Sequence, residues 1–138
     1  AQIEDSGQVQ IYEAIMLDSD GQPTTTLLRA ASYAKDNRLL PTGFDKDGAG
    51  AEIAVYGEAL ADADFLAGGD RVQYLLDLGA ASGPFTIQVE LLYQSISFRW
   101  AENLKGFDSA ETQRFVEYNS ALPNLPFVIT QAKVEAIK

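Results

Sequence analysis

With 138 residues, 46% of them hydrophobic and 22% charged, the chain has the length and composition of one globular domain. Its net charge of −10 argues against a nucleic-acid partner, because affinity for a phosphate backbone rests on cationic neutralisation. Cysteine and histidine are both absent, which excludes disulfides, thiolate nucleophiles, Ser-His-Asp triads, imidazole-ligated zinc and Cys-x-x-Cys-His haem attachment within these residues.

The first residues, "AQIEDSGQVQ", have neither the basic nor the apolar region of a signal peptide, so any targeting segment is expected to have been removed or to lie outside the chain. "VQIYEAIML" (9–17) is apolar on both faces, as in a strand covered on two sides or shifted by a bulge. "DSDGQP" after it predicts a turn, and "TTTLLRAASY" (24–33) is expected to return as its partner strand. "EIAVYGEAL" (52–60) reads as a further strand. "RVQYLLDL" (71–78) and "FTIQVELLY" (85–93) alternate with period two, and "GAASGP" between them predicts a hairpin loop. In the second of these, Phe85, Ile87, Val89, Leu91 and Tyr93 face one way and Thr86, Gln88 and Glu90 the other. Tyr74 and Tyr93 then fall on inward, core faces.

"FRWAENL" (98–104) suits a short helix. In "DSAETQRFVEYNSAL" (108–122), Asp108 is expected as N-cap with Glu111 three residues on, and Phe115, Tyr118 and Leu122 share one face before Pro123 ends the helix. "PFVITQAKVEAI" predicts a last strand, Val128, Ala132, Val134 and Ala136 alternating with Gln131, Lys133 and Glu135. These elements predict a single, mainly β domain over 1–138: an antiparallel β-sandwich with one or two short helices near the C-terminal third. An α+β sheet with a covering helix is the alternative. No apolar run approaches the roughly 20 residues of a membrane helix, so no membrane insertion is expected.

With thiol and imidazole chemistry gone, oxygen ligands and carboxylates remain. Residues 43–90 hold nine acids against Lys46 and Arg71, a net of −7, which leaves cations, a basic protein face or a cationic ligand as partners. Three Asp-x-Asp pairs stand out: Asp18 and Asp20, Asp45 and Asp47, Asp62 and Asp64. Alternate acids in a loop place two hard ligands on one side of a cation, and Asp45, Asp47, Asp62 and Asp64 are the candidate calcium ligands. None of the three is an EF-hand loop: counting Asp45 as position 1, position 12 is Tyr56 where a bidentate glutamate is required. The opposing reading is that Asp and Gly form turns, each side chain capping its own backbone. No carboxylate pair is singled out for glycosidase work, and no catalytic residue is assigned. A row of exposed aromatics among Tyr12, Tyr33, Tyr56, Tyr74, Tyr93 and Trp100 would instead mark a carbohydrate-binding module. Arg99 and Trp100 form a candidate cation–π or capping pair.

"VQIYEAIMLDSDG", "TTTLLRAASYAKDNRLLPTGFDKD", "IAVYGEALADADFLAGGDRVQYLLDL" and "FTIQVELLYQSISFRWAENL" together resemble the haem-free C-terminal region of exported bacterial multihaem c-type cytochromes. The resemblance spans roughly residues 8–130 and is most specific in "KDNRLLPTGFDK". It implies a cytochrome-associated domain cut from a longer exported protein, periplasmic or extracellular, with haem only in an adjacent N-terminal region and no cofactor in this chain apart from possible calcium. The implied function is a non-catalytic accessory in electron transfer that meets the haem-bearing domain or a redox partner protein. A ligand-binding β-sandwich module, for carbohydrate or calcium, is the alternative.

Overall fold

The computed structural model of the chain describes residues 1–122 and 125–136. Among the described residues strand and helix are mixed, 28% and 19%, in small sheets with three helices and no closed barrel. The chain divides into two compact units, Ala1–Asp77 and Leu78–Lys138. No helix among the described residues is long and apolar enough to cross a membrane.

The first unit contains β1 (Gln2–Ile3), β2 (Ala14–Leu17), β3 (Pro23–Thr24), β4 (Ser32–Asp36), the one-turn helix α1 (Glu58–Ala61) and β5 (Gln73–Tyr74). β2 is the middle strand of an antiparallel sheet ordered β3-β2-β4, and β1 pairs with β5 in parallel. Of the two-faced apolar run 9–17 only Ala14–Leu17 is strand, and the register shift beside Ile15 and Met16 falls on its partner β4, where Ala34 is the extra residue. The turn after β2 forms as expected: Asp18 Oδ1 accepts from the backbone N–H groups of Asp20 (3.0 Å) and Gln22 (2.9 Å). The return is shared between two strands. Pro23–Thr24 pairs on one side of β2, Leu27–Arg29 make a turn of 3-10 helix, and Ser32–Asp36 pairs on the other side.

Beyond β4 the ladder continues through side chains. Asn37, 3% exposed, accepts from the Glu13 N–H (2.9 Å) and donates to the Ile11 carbonyl (3.0 Å), so its amide replaces two missing backbone partners. Asp36 and Tyr56 exchange backbone hydrogen bonds as an isolated bridge, both at 3.1 Å. That bridge is all the sheet structure in 52–60, where the sequence predicts a strand. Gly57, at φ 77 and ψ −154, turns the chain out of line, and Glu58–Ala61 coils into α1. Ile3, Val55 and Phe65 are the buried apolar side chains described in this unit, Phe65 at 1% exposure. Enclosing such a side chain contributes about 1.5–3 kcal/mol.

The second unit contains β6 (Phe85–Tyr93), α2 (Phe98–Leu104), α3 (Ala110–Ala121) and β7 (Phe127–Ala136). β6 pairs with β7 from Phe85 opposite Ala136 to Tyr93 opposite Phe127, and Ile129 is the extra residue of a bulge at Leu91/Leu92. The expected hairpin between 71–78 and 85–93 is therefore not formed. Only Gln73–Tyr74 of the first run is strand, and it pairs with β1 across 71 residues of chain. Tyr74 and Tyr93, expected in the core, are 45% and 54% exposed. Short-range alternation could not reveal a partner so distant in sequence.

On the ribbon itself the alternation holds. Phe85, Ile87, Val89 and Leu91 share a face with Ala136, Val134, Ala132 and Thr130, while Thr86, Gln88 and Glu90 lie opposite Glu135, Lys133 and Gln131. α2 covers the expected "FRWAENL", capped by Ser97, whose hydroxyl accepts from the Trp100 N–H at 3.3 Å. α3 begins one residue later than Asp108 predicts. Ser109 is the N-cap and forms a capping box with Thr112, whose hydroxyl accepts from the Ser109 N–H. Phe115 is half-buried, but Tyr118 and Leu122 are exposed, and Pro123 lies outside the described residues.

Candidate functional site

The segment 35–48 is the knot of the first unit: Lys35 and Asn37 reach residues 11–13, and Lys46 reaches residues 62–65. Lys35 Nζ donates to the Ile11 carbonyl at 2.9 Å and pairs with Glu13. Asp36, 5% exposed, accepts from Arg38 Nε (2.9 Å) and Nη2 (2.6 Å) in a forked pair. Those hydrogen bonds raise the Arg38 pKa above its ordinary value. The Leu40 carbonyl accepts from Gly68 N–H at 2.9 Å. Lys46 Nζ donates to the carbonyls of Asp62 (2.7 Å) and Phe65 (3.1 Å) while lying over the Phe65 ring.

The three aspartate pairs follow one rule: the first carboxylate of each closes its own turn. Asp18 caps Asp20 and Gln22; Asp45 Oδ1 accepts from Gly48 N–H (3.0 Å); Asp62 Oδ1 accepts from Asp64 N–H (2.9 Å). The second members, Asp20, Asp47 and Asp64, are exposed. Asp62 Oδ2 also lies 2.8 Å from the Ala1 nitrogen. Asp64 lies 3.9 Å from Arg71, an exposed pair worth little. Of the candidate calcium ligands, Asp45 and Asp47 thus sit on one loop and Asp62 and Asp64 on another. What joins the two loops is the Lys46 ammonium, which occupies carbonyl oxygens that a metal ion would also seek. Among the described residues, no group of three or more acidic side chains is placed to hold a metal ion.

Of the six aromatics singled out above, Tyr74, Tyr93 and Trp100 are exposed, while Tyr12, Tyr33 and Tyr56 are held by contacts within the first unit. Tyr33 and Tyr56 stack at 5.3 Å between centroids, and the Tyr56 hydroxyl donates to the Ala51 carbonyl (2.7 Å). Tyr12 donates to Asp70 Oδ2 at 2.9 Å; burial, then that hydrogen bond, pushes its phenol above the ordinary tyrosine range. The cation over a ring is Lys46 above Phe65, and the capping of Trp100 falls to Ser97 where Arg99 was the expected partner.

Beside the Asp36–Arg38 pair lies a shallow cavity of about 220 Å³ walled by Leu39, Leu40, Pro41, Phe44, Ile53 and Val55. Leu39 and Ile53 are 49% and 59% exposed, so its mouth is apolar surface in water. Leu40 and Phe44 are half-buried, but Leu39 lines this open wall. The apolar doublet Leu39–Leu40 directly after the polar quartet "KDNR" was the available signal. Comparison with family models, with curated proteins and with solved structures finds no match to the chain.

Proposed function

We propose that the chain is a non-catalytic interaction domain of an exported multihaem cytochrome-type electron-transfer protein, docking a haem-bearing domain or a redox partner through its acidic surface. The observation that carries the docking reading is the outward placement of charge on the first unit: Asp45, Asp47, Glu52, Glu58 and Asp64 are all exposed. The resemblance centred on "KDNRLLPTGFDK" supplies the cytochrome context and, with it, a periplasmic or extracellular location and haem on neighbouring sequence. Acidic surfaces of this kind steer basic partners by long-range attraction and raise association rates at low salt.

The proposal includes an antiparallel sandwich arrangement of the small sheets. Its support is the one-sided apolar alternation of β6 and β7, where Val89 and Val134 are 54% and 57% exposed. A second sheet packed about 10 Å away is the usual cover for such a face.

The test is a titration of the chain with a haem-bearing fragment of the cytochrome and with a basic c-type cytochrome, at low and at high ionic strength. Association that weakens steeply as salt rises supports docking through the acidic surface. No association at low ionic strength, or association indifferent to salt, overturns it.

A further inference from the structure

The cavity at the knot is bounded on two sides by Phe44 and Ile53, and the loop between those residues is 45–52. This loop carries three acids, Asp45, Asp47 and Glu52, all exposed, and one cation, Lys46. Lys46 is turned inward onto the Asp62 and Phe65 carbonyls, so its charge is withdrawn from the surface that the loop presents. Arg38, the other cation at the cavity, has an exposed side chain whose charge is offset by its forked pair with buried Asp36. The result is an apolar recess whose flanking loop shows only negative charge outward. Apolar centres with charged rims are the usual anatomy of protein interfaces, where a central side chain fills a pocket and the rim sets partner choice.

We infer that this recess is the docking point itself, and that its occupant is an apolar side chain projecting from a lysine- or arginine-rich loop of a partner protein. The inference rests on the docking reading above and narrows it to one surface and one partner chemistry. The rim supplies the charge complementarity. An anionic ligand with the same apolar group would meet Asp45, Asp47 and Glu52 on its way in, with no outward cation on that loop to offset them. The exposed walls Leu39 and Ile53 supply the affinity, since covering them removes apolar surface from water.

The experiment titrates the intact chain, by two-dimensional NMR at low ionic strength, with a short synthetic peptide carrying one leucine between pairs of lysines, and with its serine counterpart. The expected result is about tenfold tighter binding of the leucine peptide. Its shifts should centre on Leu39, Phe44 and Ile53, and both peptides should weaken as salt rises. Ile53→Ser, at an exposed position that should not affect folding, should erase the leucine preference and leave the serine peptide unchanged. Asp47→Asn with Glu52→Gln should weaken both peptides alike.

Equal binding of the two peptides overturns the recess while leaving charge-driven docking to the haem-fragment titration. A leucine preference that survives Ile53→Ser overturns it too, because the leucine is then seated elsewhere. Binding of neither peptide at low salt likewise overturns the recess, and a haem fragment that still binds in a salt-dependent way would show that docking uses another face.

Discussion

The ammonium of Lys46 lies 2.7 Å from the carbonyl oxygen of Asp62, so a lysine fastens the loop bearing one aspartate pair to the backbone of the next. The same group reaches the Phe65 carbonyl at 3.1 Å and stands 5.7 Å over the centroid of the Phe65 ring, the most deeply buried side chain described in the first unit. Hydrogen bonds from a charged donor contribute about 1.5–3 kcal/mol each, and the lysine is only partly buried. Lys46→Met keeps the stem and removes the donors. It should destabilise the first unit by about 2 kcal/mol, read as a shift of the urea midpoint at constant slope. A shift within about 0.5 kcal/mol, the size expected for an exposed surface change, would show that the tie is ornamental.

Asn37 makes the sharper prediction, because it is almost wholly enclosed. Asn37→Leu has similar volume but leaves the Glu13 N–H unpaired and takes one of two donors from the Ile11 carbonyl. Each unsatisfied buried group costs about 1–3 kcal/mol, so a loss of about 3 kcal/mol is expected. Lys35 still holds the Ile11 carbonyl at 2.9 Å, which limits the damage on that side. Amide exchange should therefore accelerate first at Glu13. Unchanged protection there would mean that the side-chain bridge does not carry the ladder past β4.

These two residues also mark where sequence reasoning stops. The strand 85–93 was legible because its alternation is local and one-sided, and 98–104 because a serine cap precedes a compact helical run. The pairing of Gln73–Tyr74 with Gln2–Ile3 was not legible, since nothing near residue 73 records a partner at the other end of the unit. "KDNRLLPTGFDK" could be seen as idiosyncratic, but the reason lies in backbone acceptors at residues 11, 62 and 65, which any sequence would offer. The acidic pairs could be read from sequence as turns, the favoured reading, or as calcium ligands. Only the direction of the first carboxylate in each, bent back onto its own loop, separates the two.

Gly57 holds a conformation, φ 77 and ψ −154, that is essentially restricted to glycine. A β-carbon there would also stand 3.0 Å from the Ala34 carbonyl oxygen, tighter than ordinary contact. Gly57→Ala should cost about 1–3 kcal/mol and strain the neighbouring Asp36–Tyr56 bridge. Thermal melting checks the size, and loss of exchange protection at the Tyr56 amide checks the location. A variant as stable as the parent would refute this account of the turn between Tyr56 and α1.

Tyr12 links stability to alkaline pH. Burial and the hydrogen bond to Asp70 raise its phenol above the unfolded value of about 10. The folded state then holds the proton more tightly than the unfolded state does. The contribution is fully present below about pH 10 and is lost as pH rises from there towards the folded value. Stability of the first unit should fall above pH 10, by up to about 1.4 kcal/mol per pH unit from this one group. Tyr12→Phe should flatten that component, and the tyrosinate absorbance of the parent should show one phenol titrating later than the others. Parallel slopes for parent and variant between pH 10 and 11 would contradict it.

Asp45 and Asp47 separate a turn from a cation site most directly, because the two carboxylates have different tasks in the structure. Asp45 accepts the Gly48 N–H, and a β-carbon on Gly48 would run into that carboxylate, so cap and glycine are fitted to each other. Asp45→Ala removes the cap and should cost about 1 kcal/mol, comparable to losing a helix cap. Gly48→Ala should cost a similar amount by displacing the same carboxylate, and joining it to Asp45→Ala should add little, since the two changes break one interaction. Asp47→Ala, at an exposed position, should stay within about 0.5 kcal/mol. A calcium site on this loop would produce a different order: both aspartates would matter, and only with the ion present. A ligand at 100 times its dissociation constant adds about 2.7 kcal/mol of stability to the parent. Melting the parent and the four variants with and without millimolar calcium therefore distinguishes the two. The turn requires the Asp45 and Gly48 penalties to be the same in both conditions, and a calcium-dependent Asp47 penalty would replace it with a metal loop.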